Sequence, residues 1–460
     1  MFFAQYYLDC LSQASYLIAD ETTGRAVVVD PRRDVGEYLD AAAERGFTIE
    51  LVIETHFHAD FLSGHLELAR ATGAEIGYGE VADADFEFRR LRDGERISLG
   101  DVTLEVLATP GHTPESISIV VYEHAGDTVP YGVLTGDTLF IGDVGRPDLL
   151  ASKGAAPEDL ARRLHASVHD KLLALPDDTR VFPGHGAGSA CGKSLSTETQ
   201  STIGEQRRTN YALAPMSVDA FVAAVTEGQS RPPGYFTFDA GLNRSDHALL
   251  DETSPPAALD LEAVRRAQAA GAVVLDTRDA ATFSAGHLDG SLNVGVEGRF
   301  AEYVGAVVDP GTPLVLVSDH GSELEAKVRL ARIGYDRVDG CLAEAEATLA
   351  NAPEATARAS RVTVDELRAR LAAGGVAVVD VRSPAETASG TIPGALTIPV
   401  NELRARLGEI PATGPVVVYC AGGYRSSAAA SVLRRAGFAD VSDLLGGYTA
   451  WTTLDQGLVV

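Results

Sequence analysis

The chain has 460 residues, 45% of them hydrophobic and 22% charged, the profile of a soluble globular protein long enough for about two to four domains. Its 65 acidic and 38 basic residues give a formal net charge of −27. No Lys/Arg cluster reverses that field, so nucleic acid and anionic membranes are excluded as natural partners.

No apolar run reaches the roughly 18 residues needed to span a bilayer. The opening "MFFAQYYLDC" has neither a basic segment nor an apolar stretch of signal length, and reads as mature protein. Cys10, Cys191, Cys341 and Cys420 lie far apart without paired spacing, which predicts reduced thiols and a cytoplasmic protein. Small molecules are the expected partners, and a homo-oligomer is compatible with everything in the sequence.

Residues 1–242 alternate β-type runs with helical ones. "GRAVVVD" (24–30) and "IELVIET" (49–55) read as buried strands, with "GEYLDAAAERG" (36–46) as the helix between them. "VTLEVLATPGH" and "SISIVVYE" continue the strand series. The polar, proline-bearing stretch 243–260 then reads as a linker.

An internal repeat follows. Residues 272–294 match 377–398, pairing Asp276 with Asp380, Arg278 with Arg382 and Gly290 with Gly394. Residues 313–336 match 415–440. These define two small α/β domains, 259–350 and 358–460, behind one large domain.

Four strand-end loops of the large domain carry metal-type donors: "THFHADF" (His56, His58, Asp60), "TPGHTPES" (His112), "TGDTLF" (Asp137) and "FPGHG" (His185). Loops at one edge of a sheet meet in space although distant in sequence, so this set predicts a metal site. In order and spacing these motifs resemble the metallo-β-lactamase superfamily. The resemblance implies an αββα sandwich, hence an α/β and α+β multidomain protein with the site along one sheet edge.

The superfamily motif usually continues Asp-His, whereas Phe61 stands here. A phenyl ring has no lone pair to give, so the second metal position loses a donor and a mononuclear centre is expected. "THFHADFLSGHLELA", "GDVGRPDLL" (142–150) and "GKSLSTETQSTIGEQRRTNYAL" (192–213) further resemble the persulfide dioxygenase branch. That resemblance implies one Fe(II) per chain, held by His56, His112 and Asp137, with His58, Asp60 and His185 orienting ligands or water. A three-histidine set including His58 fits the spacing as well. Arg146 and Lys193 are candidates for holding an anionic substrate.

The last domain carries "VVVYCAGGYRSSAAASVLRRAGF". A β-run ends at Cys420, and Gly422 and Gly423 leave loop N–H groups free to cradle a thiolate or persulfide, with Arg425 adding charge. Four residues, through Tyr424, separate Cys420 from Arg425, against five in cysteine phosphatases. "DVRSPAE", "GTIPGALTIP" and "CAGGYRS" resemble the rhodanese sulfurtransferases. In the preceding copy Asp319 is expected where Cys420 stands, with a loop two residues shorter and no loop arginine, so 259–350 is expected to be a Cys-lacking rhodanese-like domain.

The joint expectation is a persulfide dioxygenase fused to a thiosulfate sulfurtransferase. Its reactants would be a thiol persulfide, dioxygen, and sulfite or thiosulfate. A zinc thioester hydrolase of the glyoxalase II type, and a non-catalytic front domain with a sulfur-carrier rhodanese, are the rival readings.

Overall fold

A computed structural model describes residues 1–149, 154, 156–229 and 231–456. Leu150, the last residue of the 142–150 segment, and residues 457–460 of the last predicted domain lie outside these. The chain divides into two compact units: Met1–Pro232 with Phe236–Leu250, and Pro233–Tyr235 with Asp251–Val460.

In the first unit, one sheet runs in the order β1 (Phe2–Leu8), β2 (Gln13–Ala19), β3 (Arg25–Val29), β4 (Thr48–Ile53), β5 (Glu75–Gly79), β6 (Arg89–Leu91). The other holds β7 (Arg96–Ser98), β8 (Thr103–Ala108), β9 (Ile117–Tyr122), β10 (Gly132–Gly136), β11 (Arg180–Pro183) and β12 (Ser201–Thr202), also in sequential order. Strand periodicity splits the side chains between three cores. Tyr16, Ile18, Val27 and Val29 point inward to meet Leu104, Val106, Ile119 and Phe182 of the facing sheet.

Their neighbours Leu17, Ala19, Ala26 and Val28 face outward, against Tyr38 and Ala42 of α1 (Gly36–Arg45) and Leu68 of α2 (His65–Thr72). On the far side, Val120, Val133 and Val181 pack on α3 (Pro157–Ala166), α4 (Ile203–Thr209) and α5 (Val218–Thr226). The result is the expected αββα sandwich. β3 to β6 pair in parallel, as do β10 and β11, so their carboxyl ends gather loops at one edge.

The stretch read as a linker is partly structural. α6 (Phe236–Leu242) ends just before Asn243, whose side chain bonds His58 O and Phe61 O and accepts from Ser63 N. Ala248 O accepts from Arg33, and Leu250 N donates to Glu67. Asn243 thus pins the 58–63 loop from outside the predicted 1–242 boundary.

In the second unit, the first repeat builds a sheet from β13 (Ala258–Leu259), β14 (Val273–Asp276), β16 (Leu292–Asn293), β17 (Leu314–Val317) and β18 (Val338–Leu342), in the order β13-β18-β17-β14-β16. Here β15 (His287–Leu288) pairs separately with β19 (Thr356–Ala357). Helices α7 (Leu261–Ala269), α8 (Ala280–Ala285), α9 (Phe300–Val307), α10 (Glu323–Ala331) and α11 (Ala345–Ala350) belong to this copy.

The second repeat has the same order, β20-β24-β23-β21-β22: β20 (Ser360–Val362), β21 (Ala377–Asp380), β22 (Leu396–Thr397), β23 (Val416–Tyr419) and β24 (Val441–Leu444). Its helices are α12 (Val364–Ala373), α13 (Pro384–Thr387), α14 (Tyr424–Arg435) and α15 (Gly447–Gln456). In both copies the repeated Asp–Arg pair is buried and joined by hydrogen bonds, Arg278 to Asp276 and Arg382 to Asp380, and each arginine also reaches a glycine carbonyl. These pairs clamp the scaffold.

The ladder corrects one expectation. Asp276 pairs with Val317 and Asp380 with Tyr419, so the residue opposite Cys420 is Ser318, and Asp319 follows it. The loop is not the shortened part either. Five residues separate β17 from α10 and four separate β23 from α14, while α10 has 9 residues and α14 has 12.

Candidate active sites

His56 leaves β4, His112 sits between β8 and β9, Asp137 follows β10 and His185 follows β11. His56, His112 and Asp137 each offer one ligand atom, all within 4.8 Å of one another and all buried. The imidazoles are aimed by their other nitrogens. His56 Nδ1 lies 3.0 Å from Thr55 Oγ1, and His112 Nδ1 lies 2.8 Å from the carbonyl of Arg146. Their Nε2 atoms then face Asp137 Oδ2, at 3.8 and 3.5 Å. Gly145 permits this: a Cβ there would lie 1.9 Å from Asp137 O and 3.0 Å from His112 Nδ1.

Burial lowers the pKa of both imidazoles and keeps their lone pairs available. Burial pushes Asp137 up, but the charge and hydrogen bond of His185 and the other imidazoles outweigh it, holding the carboxyl well below the ordinary range. Asp137 Oδ2 is buried without a hydrogen-bond donor, a costly arrangement unless a cation occupies the gap. Two neutral imidazoles and one carboxylate converging on a common point fit a divalent metal.

His58 faces elsewhere. Its Nε2 lies 3.1 Å from Asp30 Oδ1 and 3.4 Å from Glu54 Oε2, and Glu54 Oε1 lies 3.4 Å from His65 Nδ1. Burial pushes His58 down, but the two carboxylates outweigh it and raise it to about 10. His58 thus turns its Nε2 toward these carboxylates, which favour its charged form, rather than toward the triad.

Phe61 is fully buried, its ring centroid 4.3 Å from that of His58 and 6.3 Å from that of His185. Beyond it, His185 Nδ1 is 2.7 Å from Asp137 Oδ1 and His185 Nε2 is 2.8 Å from Asp60 Oδ2. Cys191 joins Asp60 and His185 in a second tight group. Burial and the Asp60 and Asp137 carboxylates push its thiol well above the ordinary value.

The predicted anion cradle is committed to protein acceptors. Arg146 is buried and reaches both oxygens of Asp148 at 2.7 and 2.8 Å, and Lys193 Nζ donates to Ala224 O at 2.6 Å and to Glu227 O. Sequence reasoning missed Asp30, Glu54, Thr55 and Cys191. Asp30 and Glu54 each close a β-run, which was the signal available.

In the second repeat, Cys420 is buried, with Gly423 N–H donating to its sulfur at 3.1 Å and its thiol donating to Ser426 Oγ at 3.7 Å. Gly423 has φ +107°, a conformation that glycine adopts without strain. Arg425 is paired through two 2.7 Å bonds with Glu386, a partner the sequence did not announce. Tyr448 N and Thr449 N donate to Cys420 O and Ala421 O, and a Cβ on Gly447 would lie 2.3 Å from Cys420 O. The first repeat lacks this cradle. Ser318 bonds Thr277, and a cavity of about 380 Å³ beside it is lined by Asp319, His320, Glu323, Glu344 and Glu346.

Residues 8–185 match the Metallo-beta-lactamase superfamily, and residues 260–339 and 363–454 match the Rhodanese-like domain. A solved metallo-beta-lactamase from Staphylococcus aureus subsp. aureus COL is 34% identical, covering 74% of this chain and 98% of its own, with a TM-score of 0.67. The chain belongs to the metallo-β-lactamase superfamily.

This superfamily member carries two rhodanese-like domains behind its metallo-β-lactamase fold. Among curated proteins, the mitochondrial persulfide dioxygenase ETHE1 of Homo sapiens is 29% identical over 210 residues, 45% of this chain and 74% of its own length. The beta-lactamase hydrolase-like protein of Agrobacterium fabrum is 31% identical over 237 residues, 45% of this chain and 51% of its own. The chain spans about half the length of the first curated relatives it matches. No helix among the described residues is long and apolar enough to cross a membrane.

Proposed function

We propose that the chain is a mononuclear iron persulfide dioxygenase fused to a Cys420-dependent sulfurtransferase. The carrying observation is the donorless Asp137 Oδ2 facing two neutral imidazoles, and likeness to a persulfide dioxygenase gives that metal site its substrate class. His56, His112 and Asp137 would hold the metal. A bound ferrous ion supplies the redox chemistry by which persulfide, dioxygen and water yield thiol, sulfite and two protons, with glutathione persulfide the first substrate to test.

The protein's own groups do the rest. Thr55 and the Arg146 carbonyl fix the two imidazoles, Asp137 lowers the charge of the centre, and His185 holds a proton between Asp137 and Asp60. Phe61, which has no lone pair to give, argues for one ion rather than two. Cys420, cradled by the Gly423 N–H, would carry sulfane sulfur between persulfide, sulfite and thiosulfate, with Arg425 beside it.

Anaerobic purification, metal quantification and oxygen uptake with glutathione persulfide test this reading together. One iron per chain with persulfide-dependent uptake supports it. Two zinc ions per chain with thioester hydrolysis and no uptake would overturn it.

A further inference from the structure

The first repeat does more than separate its neighbours, because it grips the helix that carries the sulfur loop. α14 begins at Tyr424, the residue between Gly423 and Arg425. The Tyr424 hydroxyl lies 2.5 Å from Gly295 O and 3.0 Å from Glu297 O, both in the first repeat. Its ring centroid is 5.5 Å from that of Tyr303 on α9.

The grip continues down the helix. Ser427 Oγ donates to Asn293 Oδ1 at 2.6 Å, Asn293 N donates to Ser431 Oγ at 3.1 Å, and Arg435 donates to Gly290 O at 3.0 Å. Positions 424, 427, 431 and 435 form one stripe of a helix. Every member of that stripe is bonded to the segment 290–297, which includes β16, the edge strand of the first repeat's sheet. The helix also packs on β23 and β24 of its own sheet, so it is held between the two copies.

We propose that the first repeat, which has no cysteine at the position of Cys420, is a working half of the sulfur-transfer site, setting the Cys420 loop through its hold on Tyr424. The inference rests on the reading of Cys420 as a sulfur carrier. The lever is short. Tyr424 adjoins Gly423, whose N–H meets the Cys420 sulfur at 3.1 Å. It also adjoins Arg425, whose guanidinium is held by two 2.7 Å bonds to Glu386. Tyr424 is thus a positioning residue, acting on the sulfur through its neighbour's backbone.

Tyr424→Phe removes the hydroxyl and keeps the ring. In the full-length, metal-loaded protein the readouts are the pH profile of iodoacetamide alkylation at Cys420, followed by peptide mass spectrometry, and sulfur transfer from thiosulfate to cyanide. Loss of alignment between Gly423 N–H and sulfur should slow alkylation at neutral pH about 3- to 10-fold and move its midpoint upward, as expected for the net worth of one ordinary hydrogen bond. kcat should fall more than KM rises.

Asn293→Ala loosens the grip from the first repeat's side, removing the Ser427 bond and the amide's own bonds to Asp276 O and Arg278 O, and should act in the same direction; it decides the matter if Tyr424→Phe does not fold. Profiles of both variants that superimpose on the parent's would overturn the inference. A parent protein that transfers no sulfur would overturn the transferase reading instead, while the alkylation profiles still score the grip.

Discussion

Replacing His58 with glutamine separates a structural imidazolium from a metal ligand. In the parent protein its Nε2 stands 3.1 Å from Asp30 and 3.4 Å from Glu54, and all three side chains are at most 1% exposed. Removing the cation leaves two carboxylates facing each other in the interior, where breaking a buried pair costs about 3–5 kcal/mol. A glutamine amide restores about 1 kcal/mol through one hydrogen bond, so the net loss is about 2–4 kcal/mol. For a unit of this size that lowers Tm by roughly 4–16 °C.

The melt belongs on metal-free protein, since a bound ion adds its own stabilisation to the native state. The deficit should shrink as pH falls, because the orphaned carboxylates then take up protons. Adding Glu54→Gln to His58→Gln should recover part of the loss. Metal titration completes the assay: stoichiometry stays at one ion, with affinity weakened no more than about 10- to 100-fold, the range for residues that support ligands. An unchanged Tm combined with loss of the metal would refute the reasoning and return His58 to the ligand set.

Asp137→Asn should weaken metal binding by more than roughly 100-fold, beyond the supporting-residue range, and equilibrium dialysis measures it. Cys420→Ser should abolish sulfur transfer while persulfide-dependent oxygen uptake continues, and loss of both in parallel assays would contradict separate sites. Glu386 is pushed up by burial but held down to about 2 by Arg425 and Ser383. Its pair therefore stabilises fully above the ordinary glutamate range, and the contribution fades as pH falls toward 2. Glu386→Gln should cost about 1 kcal/mol at neutral pH and nothing near pH 2, as read by urea denaturation.

The sandwich and the repeat were legible because buried strands announce themselves in runs such as "GRAVVVD", and each metal-type donor follows such a run. The partners of those donors were not. His58 looks like a ligand until Asp30, 28 residues upstream, is seen to claim it. Arg146 and Lys193 read as free cations because a sequence displays charge without displaying acceptors. Asn243 was lost to a polar stretch whose composition resembles a linker, although its amide ties the 58–63 loop. The shift from Asp319 to Ser318 arose because spacing leaves a strand's register one residue uncertain, while ladder pairing fixes it.

Ser318 sets the two copies apart at the base of the loop. A serine there differs from the cysteine of the second repeat by a single atom, oxygen in place of sulfur. Around the cavity beside it, Asp319, Glu323, Glu344 and Glu346 outnumber Arg278, a field that disfavours a sulfur anion. The two copies thus share a fold but not a field, and the first meets the neighbouring helix through its edge strand, β16.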